Sequence, residues 1–196
     1  KPGGNDANTG ADWANAKKTV AAAIAAAGPG DEIWVAAGTY NEDIANRISG
    51  DDAVDVALYG GFAGTETARQ ERDFDANPTV LQGTGADAVV RIRENASSAT
   101  RVDGFVITGG TAGILVSGSA PVVTNNTIRA NSGPGIYCSD YRIVGVSPPN
   151  VQFPEITHNT IADNTASNGA GIAVVGTLNI NILPSSAPLI AHNVIV

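Results

Sequence analysis

The sequence predicts an all-β fold, a right-handed parallel β-helix (a solenoid) with an N-terminal capping α-helix. Short apolar runs separated by turn residues recur from residue 31 onward, and one Asn-containing motif returns at nearly constant spacing. Aromatic residues make up only 5% and charged residues 15% of the chain, a composition that favours stacked strands over a helical bundle. Together these observations indicate a solenoid of short strands.

The 196 residues suit one domain with a sizeable core, because no Pro/Ser-rich linker divides them. Residues 1–30 are predicted to form the front segment with its capping helix, and residues 31–100 the early coils. Residues 101–196 are predicted to form regular repeat coils that leave an open C-terminal end.

The front helix is predicted over residues 12–27. Asp12 is a suitable N-cap, apolar residues follow it at helical spacing, and the Gly-Pro-Gly sequence at 28–30 ends the pattern. A strand is predicted at residues 33–35, followed by a turn at residues 38–40. Beyond that turn the pattern indicates strands and no further helix.

A repeated Asn marks the regular coils. Asn126, Asn159 and Asn193 occupy the same place in three copies of one motif, and their position numbers differ by 33 and then by 34 (159 − 126 and 193 − 159). Asn131 and Asn164 recur at a second place, further along the first two copies. An Asn at a bend tolerates unusual backbone angles, and its amide can bond to the same Asn one coil above, about 4.8 Å away. We therefore predict that these five residues form structural amide ladders.

A shorter copy of the motif precedes the regular ones. It carries Gly104 and Gly109 where the later copies carry Asn, and the numbering step from it to the next copy is 22 (126 − 104). The shorter and the longer steps are those expected for coils of two and of three short strands. The longer coils are therefore predicted to contain one extra strand, near residues 141–146 in one coil and 178–182 in the next.

The formal charge of −8 and the pI near 4.5 argue against nucleic acid and anionic membrane surfaces as partners, because both require a basic patch. No apolar run approaches the roughly 18 residues of a membrane span.

The single cysteine, Cys138, excludes an internal disulfide framework and is predicted to be a small buried side chain. The chain contains no Met, which fits removal of an export signal and a secreted or cell-surface location.

A family resemblance is carried by DWANAKKTVAAAIAAAGPGDEIWVAAGTYNEDI, YGGFAGTETARQERDF, NPTVLQG, VDGFVITGG and the repeated N-x-I-x-x-N. In this order the stretches resemble the N-terminal half of secreted bacterial right-handed parallel β-helix proteins of the pectin-lyase-like superfamily. The resemblance spans nearly the whole chain and implies that the front helix caps the open end of the solenoid. It implies no single activity, because the superfamily includes pectate lyases, other polysaccharide lyases and hydrolases, and large surface proteins. The GGF-x-G-x-E sequence resembles the surface proteins most.

A lyase resembling the pectate lyases would need acidic residues that hold Ca²⁺ against substrate carboxylates, and a Lys or Arg that abstracts a proton. Asp140, Tyr141 and Arg142 form the densest polar group of the repeat coils. Asp140 and Arg142 are the candidate catalytic residues, and Tyr141 is the candidate for a carbohydrate-binding surface. The alternative is a solvated turn in which Tyr141 packs on a neighbouring strand.

Two further clusters have the composition of a metal site but favour simpler interpretations. The acidic run at residues 51–55 lacks the spacing of a known calcium loop, so a solvated turn is favoured. His158 and His192 occupy one repeat position above Asn125, so their rings should stack, but a third ligand is missing. No metal site and no cofactor are therefore predicted, with Ca²⁺ as the one ion that the acidic residues could bind.

The motif copy at residues 188–196 begins a new coil and stops without a turn, a charged residue or a capping helix. Such an end exposes unpaired backbone groups, so either the chain is part of something longer or another molecule covers it, with self-association into fibres as one outcome. The sequence therefore favours a non-catalytic, secreted or cell-surface module for structure, adhesion or self-assembly. A lyase or hydrolase of acidic polysaccharide and a carbohydrate-binding module are the alternatives.

Overall fold

Three parallel β-sheets wind around one apolar core. The computed structural model describes residues 1–45, 55–93, 96–139, 153–175 and 188–196. Every third strand along the chain belongs to the same sheet, and the paired strands are parallel. The described chain is therefore a parallel β-helix with a short helix near its N-terminus, as the sequence predicts.

The strands are short, and most contain three or four residues. In chain order they are β1 (Glu32–Ala36), β2 (Gly38–Asn41), β3 (Ile44–Ala45), β4 (Ala57–Phe62), β5 (Thr79–Gln82), β6 (Val90–Ile92), β7 (Arg101–Asp103), β8 (Phe105–Thr108), β9 (Ile114–Ser117), β10 (Val122–Thr124), β11 (Thr127–Arg129), β12 (Ile136–Ser139), β13 (Glu155–Thr157), β14 (Thr160–Ala162), β15 (Ile172–Val174), β16 (Leu189–Ala191) and β17 (Val194–Ile195). The first sheet has the order β1-β4-β7-β10-β13-β16, the second β2-β5-β8-β11-β14-β17 and the third β3-β6-β9-β12-β15.

The core consists of aliphatic side chains that point inward from all three sheets. In the second sheet Ile107, Ile128 and Ile161 pair from coil to coil, and each is almost completely buried. In the third sheet Ile114 and Ile136 form a matching buried pair. Burial of one such side chain stabilises the fold by about 1.5–3 kcal/mol, so these columns provide a large favourable contribution.

A residue with a left-handed backbone turns the chain from the first sheet into the second. Asn125, His158 and His192 hold this position in three coils, with φ of 56°, 57° and 56°. Gly104, with φ of 84°, is the equivalent residue one coil earlier. The alignment of Gly104 with Asn126 is therefore wrong by one position, and the numbering step is 21 (125 − 104). The unusual backbone angle belongs to the residue before the ladder Asn, and Gly adopts it without the steric cost of a Cβ.

The bend at the end of the second-sheet strands follows the same rule. Ala130 and Asp163 have φ of 53° and 54° there, and Gly109, with φ of 80°, is their equivalent in the earlier coil. The predicted alignment of Gly109 with Asn131 is thus also wrong by one position. Glycine marks the left-handed position and not the amide position.

The left-handed bends divide each apolar run into two strands. A single residue, Gly104, separates β7 from β8, and β9 follows, so the shorter coil already contains three strands. The prediction that the shorter coil contains only two strands is therefore wrong.

The additional residues of the longer coils lie after the third-sheet strand. From Ser139 to Glu155 the chain advances eleven positions more than from Ser117 to Val122 (155 − 139 against 122 − 117). Both segments predicted as the extra strand lie outside the described residues.

The front helix is shorter than predicted. Helix α1 (Val20–Ala26) begins after Thr19, whose hydroxyl accepts a hydrogen bond from the third helical N–H. The carboxylate of Glu42 accepts hydrogen bonds from the first two helical N–H groups at 2.8 and 3.0 Å. The predicted start at Asp12 is wrong because that carboxylate accepts the N–H of Asn15, at 2.7 Å, and closes a local turn.

Helix α1 covers the front of the solenoid. Val20 and Ile24 are buried in the same apolar cluster as the side chains of the first coil, including Tyr40. The strand predicted at residues 33–35 is confirmed as part of β1, whereas the turn predicted at 38–40 is wrong. Those residues belong to β2, because Tyr40 points into the core and pairs with Leu81 of the next coil.

Apolar side chains are exposed on the last described coil. Leu189, Ile190, Val194 and Ile195 are each between 43% and 56% exposed, and β15, β16 and β17 each lie at an edge of a sheet. Their register matches that of the buried coils. The coil therefore presents the same surface that the coils below it use for stacking.

Candidate functional site

The predicted amide residues lie next to the bends and bond from coil to coil. Asn126 Nδ2 donates to Asn159 Oδ1 at 3.0 Å, and Asn159 Nδ2 donates to Asn193 Oδ1 at 3.0 Å. Each acceptor oxygen also receives the backbone N–H of the Asn one coil earlier, at 3.0 and 2.9 Å. Asn126 and Asn159 are 1% exposed, so these hydrogen bonds form away from water.

The second amide column has the same geometry. Asn131 donates its Nδ2 and its backbone N–H to Asn164 Oδ1, at 2.8 and 3.1 Å. In both columns the amide of an Asn faces the coil before it. Asn126, for example, accepts the N–H of Phe105 at 3.0 Å and donates to the carbonyl of Val102 at 2.9 Å. Each Asn therefore completes the hydrogen bonding of the preceding coil.

His158 and His192 form a stacked pair at the bends. Their ring centroids lie 5.1 Å apart and their ring planes differ by 15°. In the part of the chain that the structure describes, no three His, Cys, Asp or Glu side chains form a group that could hold a metal ion. The geometry of the pair is that of a side-chain stack.

Asp103 is a buried carboxylate on the outer side of the first sheet. It is 4% exposed, and it binds the Arg72 guanidinium at 2.8 Å and the Asn125 amide at 2.9 Å. Arg101 lies 3.5 Å from its second oxygen, and Arg72 also lies over the ring of Tyr59, 5.1 Å from the ring centre. Asp103 therefore holds the segment that carries Arg72 against the sheet.

Asp55 links two early coils. Its carboxylate accepts the Ser97 N–H at 2.9 Å, the Ser97 hydroxyl at 2.6 Å and the Thr100 hydroxyl at 2.6 Å. Burial acts to raise the pKa of this carboxyl, but the hydrogen bonds from Ser97 and Thr100 outweigh burial and hold the pKa below its usual value. The charged form of Asp55 is thus part of the contact between coils.

Replacing Asp55 with Asn should lower the free energy of unfolding by about 1–3 kcal/mol at neutral pH, because the amide cannot accept all three hydrogen bonds. A carboxyl whose pKa is lower in the folded chain stabilises fully above its unfolded pKa, near about 4, and this contribution is lost as pH falls through the folded pKa. The difference between the two proteins should therefore shrink when urea unfolding is repeated at about pH 3. Asp75→Asn, at an exposed carboxylate, is the matched control. A difference that is constant or wider in acid would contradict this role of Asp55.

Two predicted groups lie outside the described residues. Asp140, Tyr141 and Arg142 directly follow β12, and the first acids of the predicted acidic run are at residues 51–52. Their roles in catalysis, sugar binding and calcium binding stay predictions.

A cleft of about 540 Å³ lies at the front of the solenoid, between the N-terminal segment, α1 and β1. Trp13 and Trp34 line this front cleft, and the chain contains no other tryptophan. The Trp34 ring stacks on Phe62 at 4.9 Å, and the Trp13 ring approaches Phe62 at 5.6 Å. Phe62 is completely buried, so both indoles pack on a side chain that solvent does not reach. The sequence does not predict this cleft, because Trp13 fits the pattern of a helix. The one feature of the sequence that could have indicated it is that both tryptophans lie near the N-terminus.

Five charged side chains of the front cleft are bonded to the chain itself, and the side chain of Lys1 also lines the cleft. The ammonium of Lys17 donates to the carbonyl of Asn8 at 2.6 Å. The four lining carboxylates each accept hydrogen bonds: Asp12 from Asn15, Asp31 from Gly28, Glu32 from Arg69 and the Trp34 indole, and Glu66 from the N–H groups of Ala63, Gly64 and Thr65.

These features define a parallel β-helix with stacked amide columns and an aromatic cleft at its front. The chain belongs to the family described as "Protein of unknown function (DUF1565)", whose model matches residues 2–196. No curated protein and no solved structure gives a significant match to the chain. Among the helices formed by the described residues, none has the length and apolar character needed to span a membrane.

Proposed function

We propose that the chain is a non-catalytic β-solenoid of the pectin-lyase-like superfamily that serves as a structural or adhesion module in secreted material or at the cell surface. The observation that carries this proposal is the use of polar side chains as links between coils. Asp43 accepts the N–H of Thr84 from the next coil at 2.9 Å, Asp55 binds Ser97, and Asp103 binds Asn125. Carboxylates held in this way stabilise the stack and are poorly placed to transfer protons to a ligand.

The strands of the last described coil keep the register of the buried coils, so the same stacking continues through all the described coils. The superfamily assignment is supported by the three parallel sheets and the helix at the front.

The non-catalytic part of the proposal is tested with the purified chain and a panel of polyuronates in the presence of calcium. We expect no unsaturated product that absorbs in the ultraviolet and no new reducing ends. Turnover that is abolished by Asp140→Asn or Arg142→Ala would overturn this part and establish the lyase or hydrolase alternative. The heat-denatured chain controls for spontaneous cleavage of the substrate.

The surface location is tested separately on the producing cells. Antibodies raised against the folded chain should label intact cells or detect the chain in the medium. Labelling that requires permeabilised cells would overturn a secreted or cell-surface location.

A further inference from the structure

We propose that the front cleft binds a neutral saccharide, a ligand that presents an apolar ring face and hydroxyl groups. This site does not depend on the structural role proposed above. The volume of about 540 Å³ lies in the range of small-ligand sites, roughly 300–1,000 Å³. The lining combines two indoles with four carboxylates, so it offers both an apolar surface and hydrogen-bond acceptors.

The aromatic part of the cleft is fixed before a ligand arrives. The Trp13 indole N–H donates to the Glu66 carbonyl at 2.9 Å, and the Trp34 indole N–H donates to Glu32 at 3.0 Å. Both rings also pack on Phe62. Since the polar edge of each indole is already engaged, the remaining surface that a ligand meets is the apolar ring. A rigid apolar surface favours binding because no side chain has to be ordered.

The polar part of the cleft favours a ligand that donates hydrogen bonds. A carboxylate accepts about four hydrogen bonds, and the Asp31 carboxylate receives one that the structure shows, from Gly28 at 2.7 Å. The exposed Asp12 carboxylate is more fully used, because both of its oxygens accept hydrogen bonds from Asn15. Free lone pairs such as those of Asp31 match hydroxyl donors.

The same charges determine which ligands are disfavoured. The lining contains four carboxylates against two lysine side chains, Lys1 and Lys17, so it disfavours an anionic sugar such as a uronate. The Lys17 ammonium is also occupied by backbone carbonyls. Two of the four carboxylates are not free to bind a cation, because Glu32 already pairs with Arg69 and three N–H groups already bind Glu66. An uncharged, hydroxyl-rich ligand fits this arrangement best.

The experiment uses the full chain labelled with ¹⁵N, because the only two indole N–H signals both arise from the cleft. The ligands are the hexasaccharides of cellulose, chitin, xylan and mannan, with oligogalacturonate as the anionic probe and choline as the cationic probe. We expect at least one neutral hexasaccharide to shift both indole signals and to saturate below about 10 mM. Shifts caused by oligogalacturonate or choline but by no neutral sugar would overturn the ligand class. The absence of any shift across the panel would overturn the site.

A pair of variants tests the site by calorimetry. Trp13→Ala should weaken binding of the active hexasaccharide about tenfold. Phe74→Ala removes an aromatic side chain that is 39% exposed and lies outside the cleft, so it should leave the affinity unchanged. Equal affinity in all three proteins, or a bound sugar that leaves the indole signals of the unmodified chain in place, would overturn the assignment. The indole measurement needs no substitution, so it decides the question even where Trp13→Ala fails to fold.

Discussion

Replacing Asn159 with Ala should lower the free energy of unfolding by about 3–5 kcal/mol, the largest loss expected from any single amide of the ladders. The Asn159 side chain accepts the N–H and the side-chain amide of Asn126, and it donates to the carbonyl of Val123 and to Asn193. The site is 1% exposed, so water cannot replace these partners. Each buried group left unpaired costs about 1–3 kcal/mol, and two donors of Asn126, its backbone N–H and its Nδ2, both lose the Asn159 Oδ1 acceptor.

The measurement is equilibrium unfolding in urea, followed by circular dichroism. Asn41→Ala is the control, because Asn41 is an exposed strand residue, and its replacement should change stability by no more than about 0.5 kcal/mol. A loss below about 1 kcal/mol for Asn159→Ala would show that the ladder does not hold the coils together.

Replacing Gly113 with Ala should destabilise the chain by about 3 kcal/mol, near the upper end for an overpacked core. Gly113, Gly135 and Gly171 directly precede three paired residues of the third sheet, so they stack in one column. A Cβ at Gly113 would meet Ile128 Cγ2 and would lie 2.5 Å from the Gly135 carbonyl oxygen. Backbone of the next coil cannot move aside without breaking its own hydrogen bonds, so the added methyl group separates two coils.

The control for this substitution is Gly28→Ala. A Cβ at Gly28 meets only an Asp31 carboxylate oxygen at 3.6 Å, an ordinary contact, so this variant should keep the stability of the unmodified chain to within about 0.5 kcal/mol. Equal thermal midpoints for Gly113→Ala and Gly28→Ala would contradict the close approach of the coils.

The architecture was predictable from the sequence because its repeat is direct. Asn126, Asn159 and Asn193 follow one another at the spacing of one coil, and in a solenoid a residue contacts its own repeat partner in the next layer. Spacing alone is therefore sufficient to infer which residues are neighbours. The shorter coil was harder to align, because Gly104 was matched to an amide when it is the equivalent of Asn125. Both Gly and Asn are common at bends, so composition could not separate the left-handed residue from the ladder residue.

Features that depend on distant contacts were not predictable. The start of α1 depends on Glu42, which lies in the first coil and reaches back to the helical N–H groups. Local spacing predicts a start at Asp12, because no residue near Asp12 in sequence indicates that Glu42 binds the first N–H groups of the helix. The front cleft was missed for the same reason, since Trp13 and Trp34 approach each other, with ring centroids 6.5 Å apart, only in the folded chain, where both pack on Phe62. Asp140, Tyr141 and Arg142 are candidates because polar residues are dense at this point of the sequence. Such density does not show whether their side chains come together in the folded chain.

The amide columns have a direction, and this direction bears on how the chain folds during synthesis. The side-chain oxygen of each ladder Asn accepts hydrogen bonds from the layer nearer the N-terminus, so that layer has this acceptor only once the following stretch of polypeptide exists. A ribosome releases the amino end first. A coil of the solenoid therefore has its full set of amide hydrogen bonds only after the coil that follows it in the sequence has formed.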